Sequence, residues 1–161
     1  MESQANDVAD RLEVADTITR LFVNTDERNW DGVSECFSQR VLFDMSSFSG
    51  AKAARVAPKK IVDQWESGLG GLAAVHHQVG NLLVKVEGSQ ADAFCYATAT
   101  HYLPNRSGDG DTRTFVGTYD LHLARGGDGG WRIDAFRFNL KFTEGNPRLG
   151  EPAGASRGQQ G

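Results

Sequence analysis

The chain has 161 residues, 39% of them hydrophobic and 24% charged, the balance of a single soluble globular domain rather than a disordered or fibrous chain. Its 17 Lys and Arg against 21 Asp and Glu leave a net charge of −4 with no basic run, which excludes nucleic acid and an anionic membrane surface as expected partners. No apolar run approaches the roughly 18 residues of a membrane span, and the acidic start MESQANDVADRLEV is not a secretory signal, so the expected compartment is the cytoplasm.

Residues 7–28 carry a helical period, with Val8, Leu12, Ala15, Ile18 and Phe22 on one apolar stripe. Asp26 continues that stripe, and a carboxylate on a buried face is costly unless it is paired, so Asp26 is a candidate functional residue. Asn29-Trp30-Asp31-Gly32 breaks the helix. A short second helix follows with Trp30, Val33 and Phe37 inward. Residues 41–45, VLFDM, read as a strand and the small polar stretch 46–57 as a loop. Pro58 suits the first turn of a helix whose apolar face is Ile61, Val62, Trp65 and Leu69, ended by Gly68, Gly70 and Gly71.

The second half is β-rich. Strands over 75–86 and 91–103 join at residues 87–90, and strands over 113–125 and 130–142 are connected through the glycine-rich hairpin signal at 126–130. Residues 104–111, PNRSGDGD, form a turn-rich connection. Residues 144–161 hold five of the nineteen glycines, two of the four prolines and a single leucine, so a flexible tail is expected after one domain over 1–143. Helices first and a curled antiparallel sheet second give the α+β class, with the helices packed on one face of the sheet. Cys36 and Cys95 fall in apolar-periodic segments without a C-x-x-C spacing and are expected to be buried, reduced thiols.

Strand alternation sorts the chemistry by face. His77, Val79, Asn81 and Leu83 share one face, with His76 and Gln78 opposite. His101 sides with Ala93, Cys95, Ala97 and Ala99, while Phe94, Tyr96, Thr98, Thr100 and Tyr102 look the other way. Phe115, Gly117, Tyr119, Leu121 and Leu123 form a third inward row, leaving Thr118, Asp120 and His122 outward. A face of alanines and glycine with a histidine at its end leaves room for a ligand under a curved sheet. In the last strand Trp131 and Ile133 are out of phase with Phe136, Phe138, Leu140 and Phe142, which calls for a bulge near Ala135. His76 and His77 point to opposite sides and cannot share an ion. Asp26, His77 and His101 could supply three ligands, but no metal-ligand spacing accompanies them, so neither metal nor cofactor is expected.

Taken in order, Thr25-Asp26-Glu27-Arg28-Asn29-Trp30-Asp31, His76-His77-Gln78-Val79-Gly80-Asn81, residues 96–101, Gly117-Thr118-Tyr119 and Gly130-Trp131-Arg132-Ile133 resemble the SnoaL-like part of the nuclear-transport-factor-2-like (NTF2-like) superfamily over about residues 8–142. Within it the likeness is strongest to the scytalone dehydratases. The resemblance implies a cone of N-terminal helices packed on a curved, mostly antiparallel sheet with a cavity between them. It implies a catalytic aspartate at Asp26, in D-x-x-x-W-D, and catalytic histidines at His77, in H-x-x-G, and His101. The substrate-holding positions depart from that pattern. Two tyrosines of the dehydratases are met here by Thr25 and Met45, and their serine and asparagine by about Gly117 and Tyr119. Tyr119 is expected to supply a phenolic hydrogen bond in their place. Trp65 and Asn81 complete the expected substrate-binding set.

The activity implied is a cofactor-independent elimination of the dehydratase type on a small hydrophobic molecule. His77, held by Asp26, would be the general base, and His101 would protonate the leaving group or polarise a carbonyl. The fold also hosts isomerases, cyclases and non-catalytic binding modules, and fold alone does not choose among them. The face of Phe94, Tyr96, Thr98 and Tyr102 is a candidate subunit interface, and members of the fold are commonly dimers or trimers.

Overall fold

The computed structural model describes residues 2–104 and 108–150, with side chains from Asp7 onward. Helix α1 (Glu2–Asp26) buries Val14, Thr17, Ile18, Leu21, Phe22 and Thr25. The expected stripe is therefore rotated: Val8 and Leu12 are 56% and 62% exposed. They lie beside Leu82 and Val84 in a shallow surface groove, because the line facing the sheet is set by positions 14, 18, 21 and 25. Helix α2 (Trp30–Glu35) begins where Asn29 accepts a hydrogen bond from the Gly32 N–H, and it buries Val33.

Strand β1 (Phe37–Asp44) starts four residues before its expected limit and turns Phe37, Val41 and Phe43 inward. The stretch 46–57, read as loop, contains a one-turn helix α3 (Ser46–Ser49) and a short strand β2 (Ala54–Val56). Neither is long enough to show a period. Tertiary contacts hold them: Ser47 Oγ donates to the Phe138 carbonyl at 2.6 Å, and β2 pairs with β1. Helix α4 (Pro58–Leu69) has its proline in the first turn and buries Ile61 and Val62.

Strands β3 (Ala74–Glu87), β4 (Gln90–Tyr102), β5 (Thr112–Arg125) and β6 (Trp131–Gly145) form an antiparallel meander. β1 joins it by pairing in parallel with β6, so the six-stranded sheet runs β2-β1-β6-β5-β4-β3. It is mixed but mostly antiparallel, with the helices packed on its inner face, as the α+β cone requires. The alanine row of β4 is buried throughout, as is the row from Phe115 to Leu123 on β5.

Irregularities in the antiparallel meander shape the sheet. The bulge near Ala135 is present, marked by a register shift between Leu123↔Ile133 and His122↔Ala135. A second shift, between Gly117↔Leu140 and Val116↔Phe142, turns Phe142 outward to 50% exposure, against the expected phase. A third lies between Gly80 and Leu83 in β3, where Asn81 adopts a φ of 49°. It exposes Leu83 and brings Leu82, Val84 and Val86 against the core. Gly117 is required where β5 meets the second bulge: a Cβ there would lie 2.2 Å from the Asn139 carbonyl oxygen.

β6 runs beyond residue 143, and Asn146 is only 2% exposed. Its backbone N–H donates to the Thr112 carbonyl at 2.8 Å and its Nδ2 to the Gly110 carbonyl at 3.1 Å. Residues 144–146 of the expected tail are thus held to the sheet, by β6 and by these bonds. Its end, 151–161, and residues 105–107 of the turn-rich connection lie outside the described residues. Cys36 and Cys95 are free and buried, and burial pushes the Cys95 thiol up to about 11. Among the described residues no helix is long and apolar enough to cross a membrane. Tyr96 and Tyr102 stand exposed on the outer face. His122 also lies there, hydrogen-bonded to Asp134 at 2.5 Å, and Asp44 accepts from Arg137 at 3.0 Å.

Candidate active site

Asp26 is the last residue of α1, where the helix hands its carboxylate to β3. Oδ1 lies 2.6 Å from His77 Nδ1, and Oδ2 accepts the backbone N–H of the same residue at 2.7 Å. The two side chains are 14% and 11% exposed. A carboxylate is acceptor-only, so the bond places a proton on Nδ1, and in the neutral ring the lone pair is then on the other nitrogen. The Nδ1 hydrogen bond sets the tautomer, and the backbone N–H bond holds the carboxylate against the ring. Phe22, one turn back along α1, stacks on the imidazole with centroids 5.4 Å apart. The buried carboxylate suspected from the sequence is therefore paired with an imidazole from the sheet.

His77 opens onto a cavity of about 300 Å³ between the inner sheet face and the helices. Such a volume is at the small end of ligand sites, roughly 300–1,000 Å³. His101 lines the same cavity from β4. The pairing His77↔Ala99 and Val75↔His101 makes the two histidines diagonal neighbours on one face, a separation of about 7–8 Å for such positions. Burial, assisted by the neighbouring His77 and the Arg113 guanidinium, pushes His101 down to about 4. Its imidazole is therefore neutral near pH 7. Tyr119 enters from β5, its ring packed between Phe22, Phe136 and Phe138 at 4.9–5.1 Å. Burial pushes its phenol up, so it remains a hydrogen-bond donor. Neither the His101 ring nor the Tyr119 hydroxyl has a hydrogen-bond partner among the described residues, and no buried side-chain polar atom is left unsatisfied there, so their polar atoms face the cavity space.

The remaining expected residues divide. Thr25, Met45 and Trp65 line the cavity. The Thr25 hydroxyl donates to the Leu21 carbonyl at 2.7 Å, so toward the cavity it is only an acceptor. Asn81 does not line it: the β3 bulge sets this residue in the left-handed region and leaves it exposed, which corrects its assignment to the substrate-binding set. Phe48, Gln64, Phe115, Phe136 and Phe138 line the cavity and were not singled out as site residues from the sequence. The alternating phenylalanines of β6 carried a usable signal once the bulge was placed. Phe48 carried none, because α3 is too short to show a pattern. Among the described residues none that lines the cavity is Asp, Glu, Lys or Arg, so these walls suit an uncharged molecule. Among the described residues no group of three His, Cys, Asp or Glu could hold a metal ion.

The SnoaL-like domain family matches residues 6–137. The chain belongs to the SnoaL-like family. No curated protein matches this SnoaL-like chain in sequence. Among solved structures it is similar to the Kfla4162 protein from Kribbella flavida, with a TM-score of 0.79 and 24% identity over 84% of this chain and 93% of that one. It is also similar to a candidate scytalone dehydratase from Novosphingobium aromaticivorans, with a TM-score of 0.76 and 13% identity over 96% and 99% of the two chains. A hexachlorocyclohexane dehydrochlorinase, LinA type 2, aligns with a TM-score of 0.73 and 14% identity over 98% and 99%. At these identities the likeness shows the NTF2-like fold.

Proposed function

We propose that this SnoaL-like protein is a cofactor-independent lyase of the dehydratase type acting on a small, uncharged, hydrophobic carbonyl compound. The observation that carries the reading is the Asp26–His77 pair, bonded at 2.6 Å with its free ring nitrogen turned to an apolar cavity. His77 takes the proton from the carbon next to the carbonyl. The C–H electron pair becomes the new C=C as the C–O bond to the β-hydroxyl breaks, and the hydroxide leaves as water with the proton returned by the His77 imidazolium. Asp26 supports that imidazolium as it forms. His101 and Tyr119 donate hydrogen bonds to the carbonyl oxygen, where negative charge develops. Burial keeps His101 neutral, which favours polarising a carbonyl over protonating the leaving group. Two of the similar structures carry names from elimination chemistry, a dehydratase and a dehydrochlorinase, which supports the reaction class.

An isomerase whose base is a cavity carboxylate is disfavoured, because Asp26 turns both oxygens to His77 and does not line the cavity. A panel of cyclic β-hydroxyketones tests the proposal, with the conjugated enone product followed by near-ultraviolet absorbance. Turnover should fall ~10²–10⁴-fold in His77→Ala. Undiminished turnover in that variant, or none by the wild type across the panel, would contradict the reading.

A further inference from the structure

Helix α1 ends in a paired-bond cap in which the Asn29 N–H reaches the Asn24 carbonyl at 2.8 Å and the Arg28 N–H reaches Thr25 at 3.1 Å. This geometry places Arg28 at the left-handed position, with a φ of 57°. Glycine is the usual occupant there, since a side chain costs backbone energy that glycine avoids. The compensation is visible. The Arg28 guanidinium donates to the Leu72 carbonyl at 2.5 Å and to the Leu69 carbonyl at 3.4 Å, at and just beyond the end of α4. The Leu69 carbonyl also accepts the Leu72 N–H at 3.1 Å, at the negative pole of a helix with no basic residue of its own in its last turn. Arg28 supplies the missing cation from another element.

The position matters because α4 is a wall of the cavity. Gln64, Trp65, Gly68 and Leu69 all line it. The buried anchors of α4, Ile61 and Val62, sit near its start. Its far end is exposed at Glu66, Ser67 and Gly68, and it runs into Gly70 and Gly71. Beyond Trp65, whose ring meets Phe37, Phe43 and Phe136, Leu69 is half-buried and Leu72 is buried, and the Arg28 bonds tie the carbonyls of both to the end of α1.

We propose that Arg28 is a positioning residue that clamps the C-terminal turn of α4 and so sets how tightly the cavity holds its ligand, an inference resting on the reading of the cavity as a substrate site. The test compares Arg28→Gly and Arg28→Lys with the wild type. Glycine suits the left-handed backbone, so the fold survives while the clamp is lost. Three quantities are measured: amide hydrogen exchange, the dissociation constant of the neutral probe 2-naphthol, and the ring nitrogen shifts of His77.

In Arg28→Gly the amides of residues 66–72 should exchange at least ~10-fold faster, those of residues 14–25 should be unchanged, and 2-naphthol should bind ~5–10-fold more weakly. The His77 shifts should not move, which separates a wall effect from damage to the Asp26–His77 pair. Arg28→Lys, which keeps a donor for Leu72, should return affinity to within about twofold of the wild type. Unchanged exchange over 66–72 overturns the proposal. So does faster exchange without weaker probe binding, or a loss of protection spread over the whole fold. Absence of 2-naphthol binding by the wild type would count against the substrate-site reading, whereas unchanged exchange counts against Arg28 alone.

Discussion

Replacing Asp26 by asparagine tests the candidate site with little change in shape. The carboxylate serves two donors of His77, the backbone N–H through Oδ2 and Nδ1–H through Oδ1. The amide can accept through only one of its two terminal atoms. A backbone N–H cannot change its character, so the amide oxygen must face it and the NH₂ must face the ring. Nδ1 then has to accept, and the ring proton moves to the nitrogen that should act as base. The variant also leaves an imidazolium formed during turnover without its counter-charge, in a pair less than 15% exposed. Removing one charge of a buried pair costs ~3–5 kcal/mol, which at about 1.4 kcal/mol per tenfold is a ~10²–10⁴-fold loss of kcat. The assay is enone formation from a β-hydroxyketone turned over by the wild type, with the ring tautomer read from nitrogen chemical shifts. A variant that keeps the proton on Nδ1 and loses less than about threefold in kcat would refute the reasoning.

Tyr119→Phe removes a hydroxyl that has no partner among the described residues, so stability should change by less than about 0.5 kcal/mol while turnover falls by ~10²-fold. His101 is held near pKa 4 by burial, against about 6.5 in the unfolded chain, so its neutral form favours the fold. That contribution is complete above pH 6.5 and is lost as the pH falls through about 4, at most ~3 kcal/mol in urea unfolding; His101→Gln should flatten that part of the pH profile. Gly117→Ala drives a methyl to 2.2 Å from the Asn139 carbonyl oxygen and 2.8 Å from the Phe138 ring, so it should cost ~2–3 kcal/mol and lower the melting temperature by ~5–10 °C.

Much of the sheet was legible because period-2 alternation is strong when one face is buried. The alanine row of β4 and the Phe115–Leu123 row of β5 fall inward as read, and a single phase break in β6 located the Ala135 bulge. Asp26 was legible for a different reason: a charge on an apolar stripe requires a partner, and its partner is His77. What escaped depended on tertiary context. The β3 bulge has no phase break to announce it, because Leu82, Leu83 and Val84 are apolar in any register, so Asn81 was placed on the wrong side. Val8 and Leu12 looked like core because a helical period does not say which of two adjacent stripes meets the sheet. Asn146 resembled a tail residue by composition, yet two backbone carbonyls across the sheet hold it.

In the proposed reaction the free nitrogen of His77, backed by Asp26, removes a proton from a carbon acid inside the cavity. Exchange of the α-proton of a cyclic ketone for deuterium in D₂O, followed by proton NMR with wild type and His77→Gln, tests it most directly. Exchange should exceed the buffer rate with the wild type and match it with the variant. Equal exchange by both proteins would contradict it.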